Sequence, residues 1–377
     1  MGGEIDLAMI PVNEPLLDGN ELKYLAECIN TGWISSAGRF IEEFEQGWAR
    51  YVGMDHGVSV ANGTVALELA MAALNLPPQS EVILPSFTII SCAQAVIRAG
   101  CVPVAVDCEP DTWCLDAEQA ARAVTPRTKA VMPVHIYGHP VDMDPLKELA
   151  QRHGLVIVED AAEAHGAKYK GVSCGGLGHV SCFSFYANKI VTTGEGGMVL
   201  TSDPKLAQRL RYMRNLCFNE KTRFWHEDLG FNYRLTNLQA AVGLAQMERI
   251  EKFLAGKREM AKAYNEGLKD LPLQLPVQKT WAENVYWMYG VVLDDAVAFE
   301  AKELADRLAE QGVQTRPFFR GLHEQPVLRR MGFFNNLKLP VTERISRRGL
   351  YLPSGQALTE EQINRVIGAV RRALKAV

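Results

Sequence analysis

The sequence predicts an α/β protein with a large, mostly parallel β-sheet and a small C-terminal α+β domain. Between residues 57 and 203, short apolar runs of strand length alternate with segments of helical periodicity. This alternation is typical of a parallel sheet whose two faces are covered by helices. A proline-containing segment at residues 271–278 then precedes a second, shorter set of elements, which indicates a separate small domain.

The large sheet is predicted from six apolar runs and from the helical segments between most of them. The strands are placed at residues 81–85, 102–106, 129–134, 155–160, 180–185 and 197–201. The helices are placed at residues 64–75, 89–99, 116–123 and 144–153. Because ligands of such sheets bind beyond the carboxyl ends of the strands, we expect a functional site at that edge.

The second half of the chain is predicted to begin with one long helix. Residues 236–270 contain no proline, and Thr236 is a suitable N-cap. We expect this helix to bend near Gly243 or Gly256. Beyond the proline-containing linker, strands and helices are predicted in alternation at residues 285–293, 299–311, 313–319 and 359–375.

These elements suggest the domain boundaries. We assign residues 12–250 to the large domain and residues 251–377 to the small domain. The first 49 residues contain two helical pieces on either side of a turn at residues 33–36. We expect these pieces to pack on the small domain.

The composition is that of a globular protein and gives no sign of a nucleic-acid or membrane partner. The 377 residues include 40 basic and 44 acidic side chains, a formal net charge of −4. No apolar run approaches the roughly 20 residues that span a bilayer, and the start lacks the regions of a signal peptide. The eight cysteines form no C-x-x-C pair, so we expect free thiols in a reducing cytoplasm and no metal site.

The most informative motif is a single lysine between an apolar strand and a glycine-rich stretch. Lys189 follows the apolar run at residues 181–185 and precedes a stretch with three glycines at residues 193–197. A partly buried amine at the end of a strand has a lowered pKa and can form a Schiff base with an aldehyde. The alternative is an exposed lysine in a loop, and the spacing alone gives both interpretations equal weight.

Two carboxylates end the apolar run at residues 155–160, namely Glu159 and Asp160. A carboxylate at the end of a buried strand is costly unless it is paired. Asp160 could pair with a protonated pyridine nitrogen, which would make that ring an electron sink. The alternative is that Asp160 caps the following turn.

A turn of small residues precedes the helix predicted at residues 64–75. Asn62, Gly63 and Thr64 form this turn. Free N–H groups and the helix dipole at such an N-terminus attract a phosphate, and the hydroxyls of Thr64 and Ser184 could donate to it. A plain Asn cap is the alternative.

Signatures of several other enzyme classes are absent from the sequence. It contains no dinucleotide fingerprint of the form G-x-G-x-x-G, no P-loop and no H-E-x-x-H. The eight histidines form no metal-ligand template. An oxidoreductase on a doubly wound sheet is therefore disfavoured.

The order of the motifs resembles the DegT/DnrJ family of nucleotide-sugar aminotransferases, from about residue 10 to the C-terminus. The similar stretches are residues 62–64, 85–88, 133–138, 159–163, 184–189, 193–197, 230–237 and 315–318. The resemblance implies the type I fold of aspartate aminotransferase, with pyridoxal 5′-phosphate as the cofactor. It also implies a homodimer whose active sites are shared between subunits.

The resemblance implies roles around the cofactor ring. Lys189 would hold the cofactor covalently and transfer the proton, and Asp160 would pair with the ring nitrogen. Glu163 would lie near the phenolic oxygen. Relatives commonly place an aromatic residue where this chain has Ile89, so about 0.5–1.5 kcal/mol of stacking on the ring would be lost.

The resemblance also implies contacts with the phosphate and with the substrate. Gly63, Thr64 and Ser184 would hold the phosphate, and Asn237 would reach it from the second subunit. The candidates for contact with the sugar nucleotide are Trp33, Arg234, Arg316 and His323.

The implied reaction transfers an amino group from glutamate to the keto group of a nucleotide-linked sugar. Residues 31–36 and 160–164 most resemble the branch that converts GDP-4-keto-6-deoxymannose to GDP-perosamine, a precursor for polysaccharide biosynthesis. The alternative acceptor is a 3- or 4-keto UDP-, dTDP- or CDP-sugar, because the motifs hold the cofactor and do not contact the base or sugar. A sugar dehydratase, which has His in place of Lys189, and a non-catalytic protein are disfavoured.

Overall fold

The larger part of the molecule is built on a seven-stranded sheet. The computed structural model describes residues 9–219 and 221–375. Strands β1 to β9 of this part are His56–Val60, Glu81–Pro85, Val102–Val106, Thr128–Val131, Val156–Asp160, Lys168–Tyr169, Val172–Ser173, Val180–Ser184 and Gly197–Thr201. The order in the large sheet is β1–β9–β8–β5–β4–β2–β3.

The strand directions confirm the predicted, mostly parallel sheet. Strands β3, β2, β4, β5 and β8 run parallel to their neighbours. Strand β9 runs antiparallel to both β8 and β1, and β1 was not predicted. The carboxyl ends of β2, β4, β5 and β8 therefore meet at one edge, as expected.

Four of the helices in this part begin at side chains that cap them. Helices α1 to α9 are Glu21–Thr31, Arg39–Val52, Gly63–Leu74, Ser91–Arg98, Ala117–Arg122, Met143–His153, Pro204–Arg214, Asn237–Met247 and Ile250–Leu268. Asn62, Asp116 and Asp203 accept hydrogen bonds from the first turns of α3, α5 and α7. Thr236 forms the expected cap of α8, as a capping box with Gln239.

The prediction of one long helix at residues 236–270 is wrong, because α8 and α9 are separate. The backbone leaves the helical conformation at Arg249, with φ −117° and ψ 8°. Glu248 accepts a hydrogen bond of 2.5 Å from Tyr24, and Arg249 forms an ion pair with Asp18. Because both residues at the break are held by the N-terminal segment, the chain turns there and not at either glycine.

The expected position of the N-terminal helices is also corrected. Helices α1 and α2 pack against α8, and α2 also packs against β1, so both belong to the large part. Phe40, Phe44 and Trp48 of α2 are buried in the same hydrophobic cluster as the sheet. The extended segment before α1 does contact the smaller part, because Ile10 pairs with Val313.

The smaller part has its own sheet and its own hydrophobic cluster. Strands β10 to β14 are Leu273–Gln274, Ala282–Glu283, Tyr289–Leu293, Arg316–Pro317 and Gly349–Leu352, and helices α10 to α13 are Ala301–Ala309, Pro326–Arg330, Pro340–Arg348 and Glu360–Lys375. Strands β10, β12, β14 and β13 form an antiparallel sheet. Side chains such as Tyr264, Leu304 and Val370 fill the second cluster between α9, α10, α13 and this sheet.

Two further features are the state of the cysteines and the character of the helices. All eight cysteines are buried and unpaired, which confirms the prediction of free thiols. Within the two described ranges, no helix combines the length and apolarity needed to cross a bilayer.

Candidate active site

A pocket of about 520 Å³ lies at the carboxyl edge of the parallel strands. Turns after β2, β5 and β8 and the start of α3 form its floor, and aromatic side chains from the smaller part form one wall. Its principal lining residues are Asn62, Gly63, Thr64, Thr88, Ile89, Ser91, Asp160, Glu163, Ser184, Tyr186, Asn188, Lys189, Trp287, Phe319 and Tyr351. Of the predicted cofactor-site residues, all except Asn237 are among them.

Lys189 presents a buried amine to this pocket. Its side chain is 10% exposed, and Nζ lies 3.9 Å from Oε1 of Glu163. On another side, Nζ lies 3.4 Å from the ring centroid of Trp287. Burial lowers the pKa of the amine, while Glu163 and Asp160 act in the opposite direction. An exposed loop lysine, the alternative interpretation, is therefore inconsistent with the structure.

Asp160 is the last residue of β5 and is almost completely buried. Its Oδ1 accepts a hydrogen bond of 3.1 Å from the Ala162 N–H, which is the turn-capping contact of the alternative interpretation. Its Oδ2 lies 3.1 Å from Sγ of Cys92, which donates to it. Burial raises the pKa of Asp160 above its ordinary value. One carboxylate thus caps the turn and also lines the pocket.

Glu163 is a second buried carboxylate, the third residue after the end of β5. Its Oε2 accepts a hydrogen bond of 2.8 Å from the N–H of Tyr137, whose φ of 51° lies in the left-handed region. Burial raises the pKa of Glu163 to about 7, and the nearby Lys189 acts against this rise. Glu163 can therefore change its protonation state near neutral pH.

The start of α3 forms a cradle of hydroxyl and N–H groups. Asn62 caps the helix through a hydrogen bond of 3.0 Å from Val65 N–H, and Thr64 Oγ1 lies 2.9 Å from Ser91 Oγ. A Cβ at Gly63 would lie 2.6 Å from Cβ of Ser184, so only glycine allows this close approach. The first N–H groups of a helix have no partner within it, so the turn can cap α3 and also receive an anion.

The turn that carries Ile89 is held in place from the smaller part. Ile89 is 46% exposed, with its side chain at the pocket surface. Ser86 Oγ lies 2.7 Å from Nδ1 of His323 and also accepts from His323 N–H. His323 is completely buried by these contacts. These contacts favour a role in positioning the turn, and the expected contact of His323 with the substrate stays a prediction.

Asn237 lies outside this pocket and is hydrogen-bonded within its own chain. Asn237 is 2% exposed, and its Nδ2 donates to the Trp33 carbonyl at 2.7 Å and to Cys28 Sγ at 3.3 Å. Its Oδ1 accepts from the Phe40 N–H at 3.1 Å. These bonds hold the amide within its own chain, and its contact with a phosphate in a second subunit stays a prediction.

The remaining candidate substrate residues lie outside the lining of this pocket. Trp33 is 56% exposed. Arg316 pairs with Tyr351 across β13 and β14, next to the pocket wall. Arg234 lies in a separate cavity of about 540 Å³, which it shares with Arg211, Arg214 and Arg223. The structure thus does not bring these side chains together within one chain.

Several residues of the pocket carry no motif and were missed in the sequence. Cys92 contacts Asp160, and Trp287, Phe319 and Tyr351 come from the smaller part. The aromatic run at residues 286–289 was interpreted only as a buried strand. Its density of large aromatic side chains was the one signal that could have indicated a pocket wall.

A second buried cluster contains side chains of the types that bind metal ions, but their contacts indicate a structural role. His135, Glu159 and Cys174 lie within 4.8 Å of one another. Glu159 accepts hydrogen bonds from His135 Nε2 at 2.8 Å and from the N–H groups of Leu177 and Gly178 at 2.9 Å. Because both carboxylate oxygens are occupied, Glu159 braces the loop before β8 against β5.

The chain is similar to known aminotransferases over most of its length. A family model described as the DegT/DnrJ/EryC1/StrS aminotransferase family matches residues 15–371. The GDP-perosamine synthase of Caulobacter vibrioides is 44% identical over 98% of this chain and 99% of that protein. The dTDP-3-amino-3,4,6-trideoxy-alpha-D-glucose transaminase of Streptomyces venezuelae is 40% identical over 89% of this chain and 87% of that protein.

The solved structures extend the likeness to the fold. The structure of DesV from S. venezuelae, in complex with a ketimine intermediate, has a TM-score of 0.88 at 38% identity and covers 95% of both chains. This likeness confirms the predicted type I fold. The chain therefore belongs to the DegT/DnrJ/EryC1/StrS aminotransferase family, a family of pyridoxal-phosphate-dependent sugar aminotransferases.

Proposed function

We propose that the pocket binds pyridoxal 5′-phosphate and transfers an amino group from glutamate to the keto group of GDP-4-keto-6-deoxymannose, which yields GDP-perosamine. The observation that carries this proposal is the buried amine of Lys189 in the loop after β8, 3.9 Å from a carboxylate oxygen of Glu163. The GDP-perosamine synthase of C. vibrioides, 44% identical over nearly the whole chain, supports the choice of acceptor.

The residues present fit this cofactor by their chemistry. An aldehyde on a phosphorylated pyridine ring requires an amine, an anion cradle and a carboxylate, and the pocket offers all three. The side-chain oxygen of Asn188 is also buried without a hydrogen-bond partner among the described residues. A buried polar atom of this kind is costly unless a ligand satisfies it.

Each residue then has a defined task. The cofactor supplies an electrophilic aldehyde and an electron sink. Lys189, whose pKa is lowered by burial, would bond to the aldehyde and transfer a proton as base and acid. Asp160 would hold the ring nitrogen, and Glu163 would lie near the phenolic oxygen. Gly63 and Thr64 would hold the phosphate together with Ser184.

The aromatic wall would keep water away from the reacting atoms. Trp287 is 4% exposed and lies against the amine. Phe319 and Tyr351 continue this wall, and Ile89 would cover a face of the ring without stacking on it. Exclusion of water strengthens the electrostatic interactions that stabilise the transferred proton.

The proposed assembly is a cytoplasmic homodimer. Large apolar side chains are exposed on this chain, including Phe224 at 74%, Trp225 at 64% and Leu229 at 94%. Exposed apolar groups of this size are common at protein interfaces. Sedimentation of the wild type and of Leu229→Glu tests the assembly, since a charge in the interface should shift the protein towards monomer. The eight free thiols suit a reducing compartment.

The cofactor proposal is tested by the absorption spectrum of the purified protein. A visible band that disappears on borohydride reduction, with the label found on Lys189, is the expected result. A label on another lysine would contradict the assignment.

The acceptor is tested separately with glutamate and a panel of nucleotide-linked keto sugars. We expect the highest kcat/KM for GDP-4-keto-6-deoxymannose. The transaminase of S. venezuelae, 40% identical, makes a dTDP-linked keto sugar the specific alternative. A preference for a dTDP- or UDP-sugar would overturn the choice of acceptor and leave the aminotransferase proposal standing.

A further inference from the structure

Trp287 contacts Lys189 in two places. Its ring centroid lies 3.4 Å from the Lys189 Nζ. Its indole N–H donates a hydrogen bond of 2.7 Å to the carbonyl of Asn188, the residue before the lysine. The side chain of Asn13 donates to the same carbonyl at 3.3 Å. One indole side chain thus contacts both the amine of Lys189 and the backbone that carries it.

Trp287 is itself held by a buried lysine, Lys257 of α9. Lys257 is 2% exposed, and its Nζ donates to the Trp287 carbonyl at 2.9 Å and to the Ser354 carbonyl. The described part of the chain places no carboxylate at ion-pair distance from this amine, and burial lowers its pKa to about 7. Its hydrogen bonds go to two backbone carbonyls that would otherwise be buried without these donors.

We propose that Trp287 is a positioning residue for Lys189, that its ring holds the amine whenever the amine is protonated and free, and that Lys257 keeps this ring in place. The inference rests on the proposed function, because transamination requires Lys189 to be released and to carry a proton during part of the cycle. The role of Trp287 is independent of which sugar is aminated.

The electrostatics around Lys189 explain why such a ring is useful. Burial disfavours the protonated amine, and the carboxylates of Glu163 and Asp160 favour it. His165 adds no opposing charge near neutral pH, because burial and the nearby Lys189 lower its pKa to about 3. The face of an indole ring attracts an ammonium group, most strongly away from water. Trp287 thus favours the same protonation state as the two carboxylates.

The test measures the titration of Lys189 and not the rate of catalysis. Holoenzyme is treated with excess glutamate, which under the proposed function releases the amine. It is then labelled with trinitrobenzenesulfonate across a pH series, and the label on Lys189 is quantified by peptide mass spectrometry. The midpoint of the pH profile reports the pKa of the amine and does not depend on how easily the reagent enters. If glutamate released no Lys189 in the wild type, the proposed function would fail before this inference was tested.

We expect Trp287→Leu to lower the midpoint of the pH profile, because the protonated amine of Lys189 loses its contact with the indole ring. Trp287→Phe keeps a smaller ring without the N–H and should lower the midpoint less than Trp287→Leu does. Lys257→Met should also lower it, because the indole is released. An unchanged midpoint in both Trp287 variants would overturn the proposal, and an unchanged midpoint in folded Lys257→Met would remove Lys257 from it.

Two matched controls are available in the same chain. Trp281→Leu removes an indole that packs on His139 and Tyr169, away from Lys189. Lys262→Met removes an exposed amine from the same helix as Lys257. Both controls should keep the wild-type midpoint. A fall of equal size in the controls would show a general loss of packing and overturn the specific role.

Discussion

The carboxyl edge of the large sheet and the exposed surface of the chain differ in whether their candidate site residues lie together within one chain. At the sheet edge, residues that are far apart in sequence line a single pocket. Trp33, by contrast, is mostly exposed, and Arg234 lies in a different cavity with Arg223, whose guanidinium contacts Phe224. Within one chain, the side chains proposed to hold the cofactor share a pocket, whereas the candidate substrate contacts Trp33 and Arg234 lie outside it.

The largest effect is expected when the amine of Lys189 at the sheet edge is removed. Lys189→Ala should lower kcat by about 10²–10⁴-fold, the usual contribution of a proton-transfer group, and by more if the covalent bond is essential. Steady-state assays with glutamate measure the effect. Lys205→Ala, at an exposed position of α7, is the control and should retain wild-type kcat. Normal amino transfer by Lys189→Ala would show that the pocket is not the reaction centre.

The second change concerns the buried acid beside that amine. Because burial raises the pKa of Glu163 to about 7, the folded protein keeps this proton at pH values where the unfolded chain has lost it. The stability contributed by the group is therefore full below the ordinary glutamate pKa and is lost as the pH rises through about 7. Glu163→Gln lacks the titrating group. As the pH rises, its free energy of unfolding should therefore fall by on the order of 2 kcal/mol less than that of the wild type.

Denaturant titrations of cofactor-free wild type and Glu163→Gln check this prediction, at about pH 5 and about pH 7.5, either side of the transition. Glu195→Gln, at an exposed residue of the same pocket, serves as the comparison variant. Parallel pH dependences of wild type and Glu163→Gln would show that Glu163 titrates as in the unfolded chain.

The third change tests the assignment of His323 to the scaffold. His323→Ala should lower the free energy of unfolding by about 1–3 kcal/mol, because Ser86 loses a buried partner. The KM for the sugar nucleotide should stay unchanged. Ser86→Ala removes the same hydrogen bond, so the two effects should be less than additive in the double variant. A selective rise in KM for the sugar would return His323 to the substrate site.

The smallest expected effect concerns Ile89, which stands where relatives commonly have an aromatic residue. Ile89→Phe restores an aromatic side chain at the half-exposed pocket position. It should strengthen cofactor binding by about 0.5–1.5 kcal/mol, roughly a two- to tenfold fall in Kd. Titration of cofactor-free protein with pyridoxal phosphate gives this value, and Ile89→Leu controls for size. Equal Kd values for the Phe and Leu variants would mean that the ring face is not covered from this side.

The predicted site residues that the structure brings together are those whose position follows from local structure. Lys189, Asp160 and Ser184 lie at or just after the ends of strands, and Gly63 and Thr64 begin a helix. The alternation of strands and helices therefore sufficed to place them at one edge. Their chemistry could be predicted because a buried amine or carboxylate has few stable partners.

The residues whose surroundings could not be predicted have contacts that depend on packing between distant segments. Asn237 follows a capping threonine in a family motif, yet its amide is tied to Trp33, Cys28 and Phe40. Spacing along the chain cannot show which group an amide faces. For the same reason, the wall formed by Trp287 and Tyr351 was missed, since it exists only where the smaller part meets the sheet edge.

The origin of that wall has a consequence for how the protein is made. A ribosome delivers the amine of Lys189 long before it delivers Trp287, Phe319 and Tyr351, which line the same pocket. Ser354, close to the end of the chain, donates to the Val12 carbonyl near its start. The pocket is therefore completed only after residue 351 has been made, so a chain that terminates before that residue lacks part of the aromatic wall beside Lys189.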